Sequence, residues 1–134
     1  MISLTINGVM SIPVFLTRFL DDDEEMHNLT FLFAESLVNK TLTNIESKSD
    51  NHTKYYLKID PKYSDHVDKF VTKFKELSEL DNKYNCKYEE LYNVPKSIMN
   101  EYFEIRFIDN SIDRVIVVDY DKDKDYLTLE SIDK

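Results

Sequence analysis

A single glycine, Gly8, occurs in the 134 residues of this chain. Loops that wrap phosphates need several glycines, for positive φ and for close approach of the backbone to the ligand. P-loop and dinucleotide fingerprints are therefore absent, and with them most nucleotide-dependent enzymes. Nucleophile elbows of the GxSxG kind fall by the same count. At this length the chain is expected to form one compact domain, residues 1–134. With 42% hydrophobic residues it can bury a real core, which argues against disorder despite 32% charged residues.

The acidic side chains outnumber the basic ones, 26 to 17, for a net charge of −9. Gripping nucleic acid through its phosphates needs a concentrated positive patch, and the lysines here are dispersed. Direct nucleic-acid binding is not expected. A basic protein partner is the better match to this charge. Cys86 is alone, so no internal disulfide or CxxC site exists, in keeping with a reducing compartment. The apolar start lacks a basic n-region and is interrupted by Asn7-Gly8, so neither a signal peptide nor a membrane span is expected. A cytoplasmic location follows, in a bacterium or an infected host cell. Sequons at Asn28, Asn39 and Asn51 are read as chance in a chain rich in Asn and Thr.

Periodicity predicts an α+β fold. Ile2 to Ile6 alternates, Asn7-Gly8 follows, and Val9 to Ile12 is apolar again, which reads as an N-terminal β-hairpin with a type I′ turn. Val14 to Leu20 reads as a short helical turn. Asp21 to Glu25 is an acidic run whose expected role is to cap a helix and oppose its dipole. That helix is expected from about Glu24 to Ile45, with Met26, Leu29, Phe33 and Leu37 on one face. The run Phe31-Leu32-Phe33 also suits a strand. Lys54 to Asp60 reads as a strand. Asp60-Pro61 then opens a second helix with Val67, Phe70, Val71, Phe74 and Leu77 inward and Leu80 near its end. Tyr84, Tyr88 and Tyr92 recur every four residues and would form one ridge on a helix, broken at Val94-Pro95. Tyr102–Ile108, Arg114–Tyr120 and Asp125–Ser131 read as a three-stranded antiparallel meander with Val115 to Val118 central. The expected architecture is an antiparallel sheet, hairpin plus meander, packed against two or three helices.

The spacing at Asp119, Asp121, Asp123, Asp125 and Glu130 resembles the oxygen-ligand frame of an EF-hand calcium loop. It departs where Lys124 stands at the position of the bend glycine, and its flanks read as strands. The expected state is a solvated anionic turn with no metal. His27, His52 and His66 show no paired spacing, and Cys86 has no base supplied beside it. Glu35 and Glu104, the acidic residues within apolar stretches, suit the solvent side of their elements. No catalytic signature and no cofactor are expected. The expected function is that of a small acidic protein that inhibits or regulates a protein partner: an immunity protein, an antitoxin, or a phage or viral inhibitor. The candidate contacts are Tyr84, Tyr88, Tyr92, Asp121, Asp123 and Asp125. A virion or assembly subunit, a nucleic-acid mimic and a metal-modulated domain using the 119–130 segment are the alternatives.

Overall fold

A computed structural model describes residues 4–17, 23–42, 44–47, 53–92 and 102–131, with side-chain detail excluding 44–47, 53 and 81–92. Strands β1 (Leu4–Ser11), β2 (Thr41–Leu42), β3 (Asn44–Ser47), β4 (Thr53–Lys58), β5 (Phe103–Phe107), β6 (Ile112–Asp121) and β7 (Tyr126–Ser131) accompany helices α1 (Glu24–Leu37) and α2 (Ser64–Tyr92). The fold is α+β. The strands lie in the order β2-β1-β5-β6-β7-β4-β3, all neighbours antiparallel. The two ends of that order, β2 and β3, are separated in sequence by one residue. Two peptide steps span at most about 7 Å, so the outer edges must come together and the sheet is nearly barrel-shaped. The segment from Thr41 to Ser47 acts as a seam, pairing first with β1 and then with β4.

The expected meander is present as β5-β6-β7. Its strands alternate: Phe103, Ile105 and Phe107 point inward, as do Val115 and Val117, then Leu127 and Leu129. β6 is the central strand, and Ile116 and Val118 are half-buried on its other face. A bulge at Val118 advances the register, so that Tyr120 faces the core and Asp119 faces solvent.

The N-terminal hairpin is not formed. Residues 4–11 make one strand that runs straight through Asn7-Gly8, and neither residue has the positive φ that a type I′ turn requires. Asn7 instead sits in a bulge opposite β5, between the pairs Ile6–Phe107 and Gly8–Arg106. The buried side chains of β5 offer β1 more than a local partner could, and tertiary pairing overrides the turn signal.

Helix α1 begins as expected, with the Asp23 carboxylate accepting from the Met26 amide at 3.0 Å and Glu24 and Glu25 in the first turn. Asp21 and Asp22 lie outside the described residues. The helix ends at Leu37 and not near Ile45. Asn39 takes φ 68°, its amide donates to the Ile6 carbonyl at 2.8 Å, and the Lys40 carbonyl accepts from the Ile6 amide at 2.8 Å. The Ile6 backbone thus captures the chain and starts β2. A single 3-10 turn, Val14–Leu16, stands where a helical turn was expected, and another, Pro61–Tyr63, leads into α2. The Asp60 carboxylate caps nothing there; it pairs with Lys40 at 2.9 Å.

Both helices feed one core. Phe33 of α1 stacks on Phe70 of α2 with ring centroids 4.3 Å apart, and Phe103 of β5 lies 5.4 Å from Phe33. Phe74 and Phe15 extend the group. On the same inward face of the sheet, Asp113 accepts from the hydroxyls of Tyr55 and Ser131, linking β4, β6 and β7.

Two outcomes follow from this packing. Phe33→Ala should cost about 3–5 kcal/mol in urea unfolding, while Phe31→Ala, two residues away and exposed, should stay within about 0.5 kcal/mol. Gly8→Ala should be neutral or slightly stabilising, by up to about 1 kcal/mol, since a Cβ there meets nothing within 4 Å. A large loss at Gly8 would contradict the extended strand.

Candidate functional site

The acidic segment is a strand-turn-strand whose carboxylates turn to separate tasks. Asp119 pairs with Lys75 of α2 at 3.0 Å. The Asp121 carboxylate accepts from the amides of Asp123 and Lys124, at 3.0 and 3.2 Å, and so closes the turn. Asp125 adopts φ 58°, a left-handed conformation that Asp tolerates better than most residues. Its carbonyl accepts from the Ile59 amide at 2.8 Å, and its carboxylate from the Tyr120 hydroxyl at 3.1 Å. The Ser64 hydroxyl lies 3.0 Å from that same Tyr120 oxygen. Asp123 is exposed at the tip, and Glu130 lies within β7. Lys122 pairs with Asp65 at 3.0 Å, and the Lys58 ammonium donates to the Lys124 carbonyl at 2.9 Å. The Lys122 side chain and the Lys124 carbonyl thus tie the turn to its neighbours. No group of three or more His, Cys, Asp and Glu side chains gathers around a metal-sized space among the described residues.

Helix α2 continues unbroken through Tyr92, so positions 84, 88 and 92 do share one helix. Their side chains, and that of Cys86, lie outside the described residues, as do residues 93–101 and His52. The backbone alone separates the two halves of the expected contact surface. The acidic turn is anchored at Asp65, in the first turn of α2. Tyr84 to Tyr92 lie 19 to 27 residues further along, about 28–40 Å at 1.5 Å per residue. Tyrosines and acidic turn do not converge.

A different surface is assembled around Phe31. This residue is 68% exposed on α1, the largest exposure of any big apolar side chain described. Its position follows from the helix itself. Met26, Leu29, Phe33 and Leu37 face the core, and a residue two places from Leu29 and from Phe33 falls on the opposite side. Grooves open on both sides of it. One, about 690 Å³, lies between α1 and the start of α2, with Glu24, Glu25, Asn28, Leu32, His66 and Lys69 around it. The other, about 330 Å³, lies between α1 and β1 and is walled by Val9, Met10, Ser11, Ile12, Thr30 and Ala34, with His27 at its margin. Met10 is 47% exposed. The helix contributes Glu24, Glu25 and Glu35 and neither lysine nor arginine. Lys73 reaches Glu25 across the first groove at 3.3 Å. Sequence reasoning missed Phe31 because Phe31-Leu32-Phe33 fits a strand as well as a helix. The signal was available in its angular offset from the core stripe.

Glu35 is exposed, and Glu104 is half-buried and accepts from the Ser11 hydroxyl at 2.9 Å. Glu35 shares an open groove of about 390 Å³ with Asp60, whose exposed carboxylate is paired with Lys40; acid–base catalysis draws on carboxylates set apart by a dry cleft.

Hydrogen bonding and charge set the titration of the acidic rim. The Lys75 ammonium's hydrogen bond holds Asp119 below the usual carboxylate value, against a smaller opposing effect of desolvation. Lys122 does the same for Asp65 and is itself raised in return. The Ser111 hydroxyl and amide lower Asp109. Burial pushes the Tyr120 hydroxyl up, the Ser64 hydrogen bond opposes that, and Asp125 adds to it. A carboxyl depressed in the folded state stabilises it above the ordinary Asp value and loses that contribution as pH falls through the folded value. The unfolding midpoint should therefore decline on the acid side of the carboxylate range. Carboxyl-carbon NMR titration should place Asp119 below a reference Asp, and Lys75→Met should move it back up. The stability change in that variant should stay below about 1 kcal/mol, as for other exposed pairs.

No helix among the described residues is long and apolar enough to cross a membrane. No protein-family model, curated protein or solved structure matches the chain.

Proposed function

We propose that this chain is a small acidic binding protein that inhibits or regulates a protein partner, and that it meets that partner through the outward face of α1. The observation that carries this is Phe31, a large aromatic side chain held outward between two grooves on a helix with acidic and no basic residues. Aromatic anchors beside pockets are where binding energy concentrates. The net charge of −9 selects a basic partner and speeds the encounter. The Asp121–Asp125 turn adds to that steering, and Tyr84, Tyr88 and Tyr92 offer a second contact at a distance from the first. The chain acts by occupying its partner and not by chemistry on it. Immunity proteins, antitoxins and phage or viral inhibitors of a cytoplasmic host factor work in this way.

The immobilised chain, exposed to lysate of its source cells at low salt, should retain a defined basic protein that is released as salt rises. Phe31→Asp should abolish retention. Ile108→Asp, at an equally exposed apolar position on the β5–β6 turn, should not. No retained protein at low salt, or retention indifferent to Phe31, would remove the support for this function.

A further inference from the structure

The groove between α1 and β1 has a property that an ordinary surface cleft lacks. Its wall on this side is made of four consecutive residues, Val9 to Ser11 of β1 and Ile12 just past its end. Successive side chains of a strand point to opposite faces, so a groove lying on one face would collect alternate residues. Contact with Val9, Met10 and Ser11 in a row, at the bulge in β1, brings the groove to the edge of the strand, where backbone N–H and C=O groups project.

The pairing of β1 agrees. One edge is taken by β5 along its length. The other is taken by β2 only at Leu4 and Thr5, and by Asn39 and Lys40 at Ile6. Past Ile6, α1 runs beside the strand, and no strand among the described residues pairs with that edge from Gly8 to Ser11. A helix satisfies its own backbone internally and cannot complete a ladder. The opposite wall offers what a side chain from an added strand would seek: the ring of Phe31, the small Ala34 and the exposed Met10.

We infer that this edge is a strand-addition site, taking a short extended segment of the partner protein as the next strand beside β1. Main-chain hydrogen bonds to β1 would hold the segment, and an apolar side chain at alternate positions would enter the groove. Charge specifies the rest. The walls carry no lysine or arginine, Glu35 follows Ala34 on α1, and Glu104 is bonded to Ser11 at the strand's end. The segment therefore carries Lys or Arg flanking its apolar anchor. The bulge between Val9 and Ser11 keeps the added strand short. This inference rests on the protein-binding function proposed above and names the chemistry of the partner at that surface.

A phage-displayed library of random linear peptides, selected on the intact chain, tests it. The expected winners carry apolar residues at alternate positions with flanking Lys or Arg. Measured by fluorescence anisotropy, their binding should weaken about tenfold or more in Phe31→Ala and in Met10→Glu, and should be unchanged in Ile108→Ala. N-methylation of alternate backbone amides in the peptide should abolish binding, because it removes the ladder donors while leaving the side chains in place. The inference is overturned by failure to enrich any peptide, by binding that ignores Phe31 and Met10, or by full tolerance of N-methylation. Concentration-dependent self-association that Met10→Glu abolishes would also overturn it, making the occupant a second copy of the chain. Lysate retention that depends on Phe31 while peptides fail would leave the proposed function standing and remove only strand addition. Peptide binding with no retained partner would do the reverse.

Discussion

The stacking of Phe33 on Phe70, with Phe103 against both, is the contact on which the rest of the molecule depends. It joins α1, α2 and the central region of the sheet at one point. Offset aromatic pairs add roughly 0.5–1.5 kcal/mol each beyond the area they bury, but their larger effect here is directional. Once Phe33 is fixed inward, the rotation of α1 is settled. Leu29 and Leu37 must follow it into the core, and Phe31 must face out. The exposed ring that marks the proposed binding face is thus a geometric by-product of the core.

Closure of the sheet is the second constraint. A twisted open sheet leaves two edges to be covered. Here the segment from Thr41 to Ser47 serves both, and the bonds between Ile6 and residues 39 and 40 place it. The same arrangement determines where the edge of β1 is left beside a helix. The strand is sealed at its first half by β2 and flanked at its second half by α1. The groove walled by Val9 to Ile12, Phe31 and Ala34 lies at that place, on a chain whose net charge is strongly negative.

What was legible in the sequence was what local pattern decides. Val115 and Val117 alternate with half-buried neighbours, and the meander was readable from them. Val67, Phe70, Val71 and Phe74 announced a helix, and the acidic run from Asp21 to Glu25 announced a cap, which Asp23 supplies. Failures occurred where a distant residue wins. Asn7-Gly8 carries the local chemistry of a turn, yet β5 draws it into an extended bulge. Leu42 and Ile45 continue the spacing of α1, yet the Ile6 backbone ends the helix at Leu37. The proposed contact set divided for a related reason. The tyrosines and the acidic turn are both real features of the chain, but one unbroken helix of 29 residues holds them far apart. Phe31 needed only the choice between period 2 and period 3.6, which its own three-residue run does not decide.

The partnership of β1 with β5 has a consequence for how the protein is made. Ser11 and Glu104, hydrogen-bonded side by side, are 93 residues apart in sequence. During synthesis, β1 is made some 93 residues before the stretch of β5 that it pairs with. Until then its longer edge has no partner, as slow non-local pairing demands. The edge that β5 finally covers is therefore the one that the nascent chain exposes longest.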